Sequence, residues 1–172
     1  MHLNPYGEDA VNLAAELVNR RPVDAEELAD RCRAAGLTLE RPVAHVDLVR
    51  ALEALDAWEK VVDAVDEDER AALVNAMLAA AAAHPRLTDH AGSGWHLHYR
   101  EEHRPLGDLL CSLISVGTAL HLAGRGMHRL RRCAVTGCTA VFADTSRTGR
   151  QRYCSQRCAN RDAVRRHRAR AA

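Results

Sequence analysis

The chain has 172 residues, the size of one ordinary domain or of one modest domain with a small appendage, and does not suggest a large multidomain machine. No run of 18 or more apolar residues appears, and MHLNPYGEDAVN carries neither the basic nor the apolar region of a secretory leader, so the expected setting is a reducing cytoplasm without a membrane span. A net charge of +1 conceals −10 over residues 1–124 and +11 over residues 125–172, a polarity expected of a basic part that meets a polyanion tethered to an acidic part with another task.

In chain order, the first 124 residues read as a helical domain, with apolar residues at three- and four-residue spacing between recognisable start and stop signals. The first helix follows Asn4-Pro5 and carries Val11, Ala14, Ala15, Leu17 and Val18. The second begins at Asp24, whose side chain can cap the free amides while Glu27 completes a capping box, and stops before Gly36. Two more span 43–63, with Leu48, Leu52, Leu55 and Val62 on one face, and 67–83, with Leu73 and Met77.

Residues 84–103 break this pattern: Pro85, Gly92 and Gly94 flank RLT and WHLHY, which alternate as a short β-hairpin does. A long apolar helix follows, with Leu106, Leu109, Leu110, Leu113, Ile114, Val116 and Leu120 as its buried surface, and GRG at 124–126 ends it. No repeat or low-complexity linker intervenes, so the joint to the C-terminal part, residues 125–172, is short.

Cys133 and Cys138 enclose four residues and Cys154 and Cys158 enclose three, with fifteen between the pairs. Each close pair can bend two thiolates toward one point, and two pairs complete the tetrahedral four-sulfur shell of structural Zn2+. Such a shell leaves no position for a catalytic water. Residues 127–172 offer as sizeable apolar groups only Met127, Leu130, Val135, Val141, Phe142, Tyr153 and Val164, too few for an independent core, so the metal is expected to serve largely as one. In small fingers structural zinc contributes roughly 10 to 16 kcal/mol. The plain alternative is four unconnected reduced thiols.

A helix is expected from about Ser155, on which Arg157, Arg161, Arg165 and Arg168 recur at four, four and three residue steps, flanked by Arg166 and Arg170. That stripe suits phosphate oxygens, because each contact releases condensed counterions. Other readings stay open: Arg131, Arg132 and Arg157 offset the charge of a zinc tetrathiolate, and the remaining arginines form a solvated end or dock on the acidic domain.

The run RLRRCAVTGCTAVFADTSRTGRQRYCSQRCANRDAVRRHRAR resembles the CGNR zinc-finger family, with DAVNLAAELVNRRP and WHLHY in the places of the opening helix and hairpin of the ABATE domain that precedes that finger. The resemblance implies a stress-induced bacterial transcription regulator whose finger binds DNA and whose helical domain senses or interacts. Its zinc ligands fall on Cys133, Cys138, Cys154 and Cys158. The eponymous motif reads Cys158-Ala159-Asn160-Arg161 here, with Ala for Gly and a last cysteine pair one residue closer, which points to ordinary helical backbone at Ala159.

Three other features have less to say. His96 and His98 share a spacing used by some metal sites but lack a convincingly placed third ligand, so a structural hairpin is expected instead. Cys32 and Cys111 read as small buried residues, with redox sensing as the alternative, and Trp58 and Trp95 as packing anchors or the lining of a small ligand pocket. Without a phosphate loop, a serine elbow or paired carboxylates, no enzyme is expected.

The expected fold class is therefore mainly α, a helical domain over 1–124 with a small β-hairpin, then a treble-clef-like zinc finger over 125–172 ending in a helix. The expected function is a cytoplasmic, nucleoid-associated DNA-binding regulator that contacts DNA through Arg157, Arg161, Arg165, Arg166, Arg168 and Arg170, its helical domain supplying sensing or homodimerisation. The alternative is a zinc-supported protein-interaction adaptor. A third possibility, a hydrolase using His96 and His98, requires a second metal per chain.

Overall fold

The computed structural model describes residues 7–81, 83–89, 95–99 and 104–171, without the side chains of His96, His98 and Ala171. Four helices, α1 (Glu8–Asn19), α2 (Ala25–Ala34), α3 (His45–Asp63) and α4 (Glu67–Ala81), lead to a hairpin of β1 (Arg86–Thr88) and β2 (His96–His98). Helix α5 (Leu106–Arg125) follows, then a short 3-10 turn, a second hairpin of β3 (Leu130–Arg132) and β4 (Val141–Ala143), and α6 (Gln156–Ala171). Both hairpins are antiparallel, with Leu87 opposite Leu97 in the first and Arg131 opposite Phe142 in the second.

Asp24 caps α2 as expected, but Glu27 does not complete the expected capping box. Asp24 accepts the Glu27 N–H at 2.8 Å, while the Glu27 carboxylate reaches one residue further back than a strict capping box and accepts the Val23 N–H at 2.9 Å. At the far end of α5 Gly126 stands at φ 111°, a conformation that favours glycine, and its N–H closes on the Leu122 carbonyl. Asp47 serves two helices. It accepts the Ala44 N–H at 2.9 Å to start α3 and the Gly107 N–H at 2.9 Å to start α5, so the two helices enter the core in register.

Helix α5 is buried on more than the single face its leucines marked: Ser112, Ser115, Thr118 and His121 are buried as well, because α1, α3 and α4 all pack against it. It is long and apolar enough to cross a membrane by length and composition, yet 72% of its most apolar window lies inside the fold, as in the central helix of a globular core. Two of the polar groups at this packing face find partners inside the fold: the Ser115 hydroxyl donates to the Cys111 carbonyl at 2.6 Å, and Trp58 Nε1 donates to Thr118 Oγ1 at 2.9 Å. Gly7 lets the start of α1 meet α5 closely, since a Cβ there would lie 2.0 Å from the Gly117 backbone oxygen.

The core does not stop at α5. Leu130, Val141 and Ala143 belong to the same apolar cluster as Leu17, Leu55, Trp58 and Ile114. Metal was expected to replace a core in the C-terminal part, but this second hairpin obtains one by lying on α1 and α3. Arg70 reinforces the junction, donating to the Val61, Val62 and Ala64 carbonyls at the end of α3 and to the Met127 carbonyl beyond α5.

Trp58 is the packing anchor expected of it, fully buried, whereas Trp95 is 73% exposed and anchors nothing among the described residues. The difference is one of placement: Trp58 points from α3 into α5, and Trp95 stands just before β2 in a two-stranded hairpin that covers little surface. The side chains of His96 and His98 lie outside what is described.

Candidate metal centre

The first thiol pair occupies the turn of the β3–β4 hairpin. Gly137 at φ 78° reverses the chain, the Cys138 N–H donates to the Val135 carbonyl at 2.9 Å, and the Cys133 N–H donates to the Ala140 carbonyl at 2.8 Å. The second pair flanks the start of α6. Ser155 caps that helix, its hydroxyl accepting the Cys158 N–H at 3.3 Å and its carbonyl the Ala159 N–H at 3.1 Å, so Cys154 and Cys158 stand on either side of the cap. Ala159 is helical, as its side chain demands.

The four sulfurs converge. Cys138 lies 3.9 Å from Cys154, Cys154 lies 3.7 Å from Cys158 and Cys158 lies 3.9 Å from Cys138, with all four ligand atoms within 4.8 Å of one another. Zinc–sulfur bonds of about 2.3 Å in a tetrahedron place sulfurs roughly 3.8 Å apart, the spacing that Cys138, Cys154 and Cys158 already have, with Cys133 close by. Burial alone would push the Cys133 thiol up, but hydrogen bonds involving the Cys154 and Val135 backbone and the neighbouring sulfurs bring it down to about 7. Burial and the shared proton with Cys158 push Cys154 up to about 12. Cys133 thus gives up its proton the more readily of the two, and Cys154 holds its own until a divalent cation displaces it.

A buried ion pair holds the loop that carries the chain from β4 to Cys154. Asp144, fully buried, accepts the Ser146 N–H at 3.0 Å, the Ser146 hydroxyl and the Gln151 N–H at 2.9 Å, and it faces the Arg129 guanidinium at 3.5 Å. Burial alone would raise its carboxyl, but the Ser146 hydroxyl and the loop amides, with Arg129, hold it below the usual carboxylate range. Arg129 also donates to the Arg125, Asp144 and Ser146 carbonyls, and Gly149 is glycine because a Cβ there would stand 2.8 Å from Arg129 Cζ.

Residues 11–134 match the ABATE family, described as "putative stress-induced transcription regulator", and residues 129–171 match the CGNR zinc finger. The chain belongs to the ABATE family. No curated protein matches it. Together with the four converging cysteines, the finger match makes this ABATE protein a zinc-binding one, with structural zinc as its cofactor.

Within the CGNR finger, α6 is pinned on its inner side by Asp162, which accepts the Tyr153 hydroxyl at 2.8 Å and pairs with Arg165 at 2.7 Å and Arg166 at 3.0 Å. Arg165 also donates to the Thr136 hydroxyl of the thiol-bearing turn at 3.0 Å. Two of the six arginines singled out from sequence therefore brace the finger. Arg157, Arg161, Arg168 and Arg170 are exposed and make no ion pair among the described residues.

The direct contacts of Arg131 and Arg132 go to groups other than the thiols. Arg132 instead grips α3, meeting Asp63 at 2.6 Å and Glu59 at 2.7 Å, and Arg131 donates to the His128 carbonyl at 2.7 Å. Their position on β3 turns these side chains toward the helical domain and the preceding turn. The Arg129–Asp144 pair and the Asn19 amide that binds β4 were missed, and only the two isolated acids in an arginine-rich tail could have hinted at structural roles for Asp144 and Asp162. Cys32 and Cys111 are buried, and burial pushes the Cys32 thiol up to about 12, an environment unsuited to a reactive thiolate.

Proposed function

We propose that this ABATE protein is a DNA-binding transcription regulator, in which zinc fixes α6 so that its exposed arginines meet the phosphates of duplex DNA. The observation that carries the proposal is the division of labour on α6. Arg165 and Arg166 are spent on Asp162, while Arg157, Arg161, Arg168 and Arg170 extend into solvent on a helix whose N-terminal turn is anchored by two of the four thiols. The family description supports the same role.

A binding role rather than a catalytic one is part of the proposal, since four thiolates fill a tetrahedral shell and leave no position for substrate or water. Reduced thiols favour a reducing compartment, and the cytoplasm is the proposed one. Association of two copies through the helical domain would place two α6 helices on one duplex, the usual arrangement of helix-based readers.

The test is affinity for duplex DNA as a function of salt. Log affinity should fall linearly with log salt, and Arg161→Ala or Arg168→Ala should each flatten the slope by roughly 0.9, whereas Arg165→Ala should change it less. Affinity indifferent to salt and to these arginines would reject the proposal in favour of a zinc-supported adaptor that binds protein.

A further inference from the structure

The outward side of α6 carries more than charge. Asp162 is 3% exposed and fixes which side faces inward. At about 100° per residue, positions two before and two after it point nearly the opposite way. Those positions are Asn160 and Val164, one turn apart and both exposed. Arg157, Arg161 and Arg168 run along one flank of this pair, and Gln156 and His167 along the other. The middle of the face is thus polar amide and apolar isopropyl, with cations at its border.

That layout matches what a major groove asks of a helix. Phosphates line the groove's rim and are met by arginine, whereas base edges at its floor are read by short amides and apolar groups on the helix midline. A single exposed valine is ordinary on any surface. Val164, 51% exposed, gains meaning from standing one turn beyond an amide, with arginines along one flank of the pair. The Asn160 amide is also oriented: its Oδ1 accepts the Gln156 side-chain N–H at 2.8 Å, which leaves its own N–H groups and a second oxygen lone pair free.

We propose that α6 reads an A·T base pair and a neighbouring thymine: the Asn160 amide donates to adenine N7 and accepts from its N6, and Val164 packs on the thymine methyl. The inference rests on the DNA-binding reading above and adds to it sequence specificity and the two residues that confer it. Both side chains are solvent-facing and outside the zinc shell, so replacing them leaves the finger intact.

The experiment is selection from a pool of randomised duplexes by the zinc-loaded full chain, its Asn160→Ala and Val164→Ala variants, and Arg161→Ala. Wild type should enrich a motif with fixed A·T positions. Asn160→Ala should lose adenine discrimination by roughly 5- to 100-fold at one position, and Val164→Ala should relax the preference for thymine beside it. Arg161→Ala should weaken binding to all sequences alike. Placing 7-deaza-adenine at the fixed position should weaken wild type and not Asn160→Ala. A wild-type motif unchanged in both variants, or binding without sequence preference, overturns this inference and leaves phosphate binding standing. Absence of duplex binding by wild type overturns both.

Discussion

The side-chain amide of Asn19, the last residue of α1, forms two hydrogen bonds with Val141 on β4: Nδ2 donates to its carbonyl and Oδ1 accepts its N–H, each at 2.8 Å. A side chain thereby acts as one more rung on the strand's free edge, 122 residues away in the chain. Asn19→Ala leaves both strand groups unpaired and should cost about 1 to 3 kcal/mol of unfolding free energy with zinc bound, read from urea denaturation. A loss below a few tenths would show that the apolar seam alone holds the hairpin.

Arg132 joins the same two parts by charge, at a site more than a third exposed. Screened surface pairs contribute little, so Arg132→Ala should cost less than about 1 kcal/mol and less than Asn19→Ala in the same assay. The Asp63 carboxyl, held down chiefly by its hydrogen bond from Arg132, should titrate at higher pH in that variant, which NMR can follow.

Asp144 gives stability a defined pH signature. Its carboxyl is depressed in the folded chain, so its contribution is fully present above the unfolded value of about 3.9 and is lost as pH falls through the folded one. Asp144→Asn should therefore be less stable than wild type by about 1 to 3 kcal/mol near pH 6, with the gap closing below pH 4. Both chains shed zinc in acid, so the gap between their urea midpoints isolates the carboxyl. A gap that persists unchanged at pH 3 would contradict the assignment.

Gly137 and Gly149 separate backbone strain from crowding. Both have positive φ, but a Cβ at Gly137 meets nothing within 4 Å while one at Gly149 strikes Arg129. Gly137→Ala should cost about 1 to 2 kcal/mol, the ordinary penalty for left-handed backbone. Gly149→Ala should cost more, because the buried guanidinium must also move. Equal losses would mean that Arg129 yields freely.

Much of this fold is legible in the sequence where the signals are local. Asp24, Gly36 and Gly126 mark helix ends by chemistry that involves neighbours in the chain, and the cysteine spacings foretell a cluster because each pair is nearly fixed by its own turn. Periodicity showed which residues of α6 share a face, but not that Asp162 pairs with Arg165 and Arg166. Nor could it show Arg132 reaching Asp63 and Glu59, or Val141 joining the core of α1 and α5, since those partners come together only once the hairpin has docked. An apolar count confined to residues 127–172 had to make the finger look coreless, because the rest of its core belongs to helices earlier in the chain.

The most direct test of the account is metal content of the purified chain and of a Cys154→Ser, Cys158→Ser double variant, with helicity followed by circular dichroism. The account predicts one tightly held zinc per chain in wild type, none in the variant, and loss of signal equivalent to α6 while the helical domain persists. Wild-type protein without bound zinc, or a variant that keeps α6 fully helical, would contradict it.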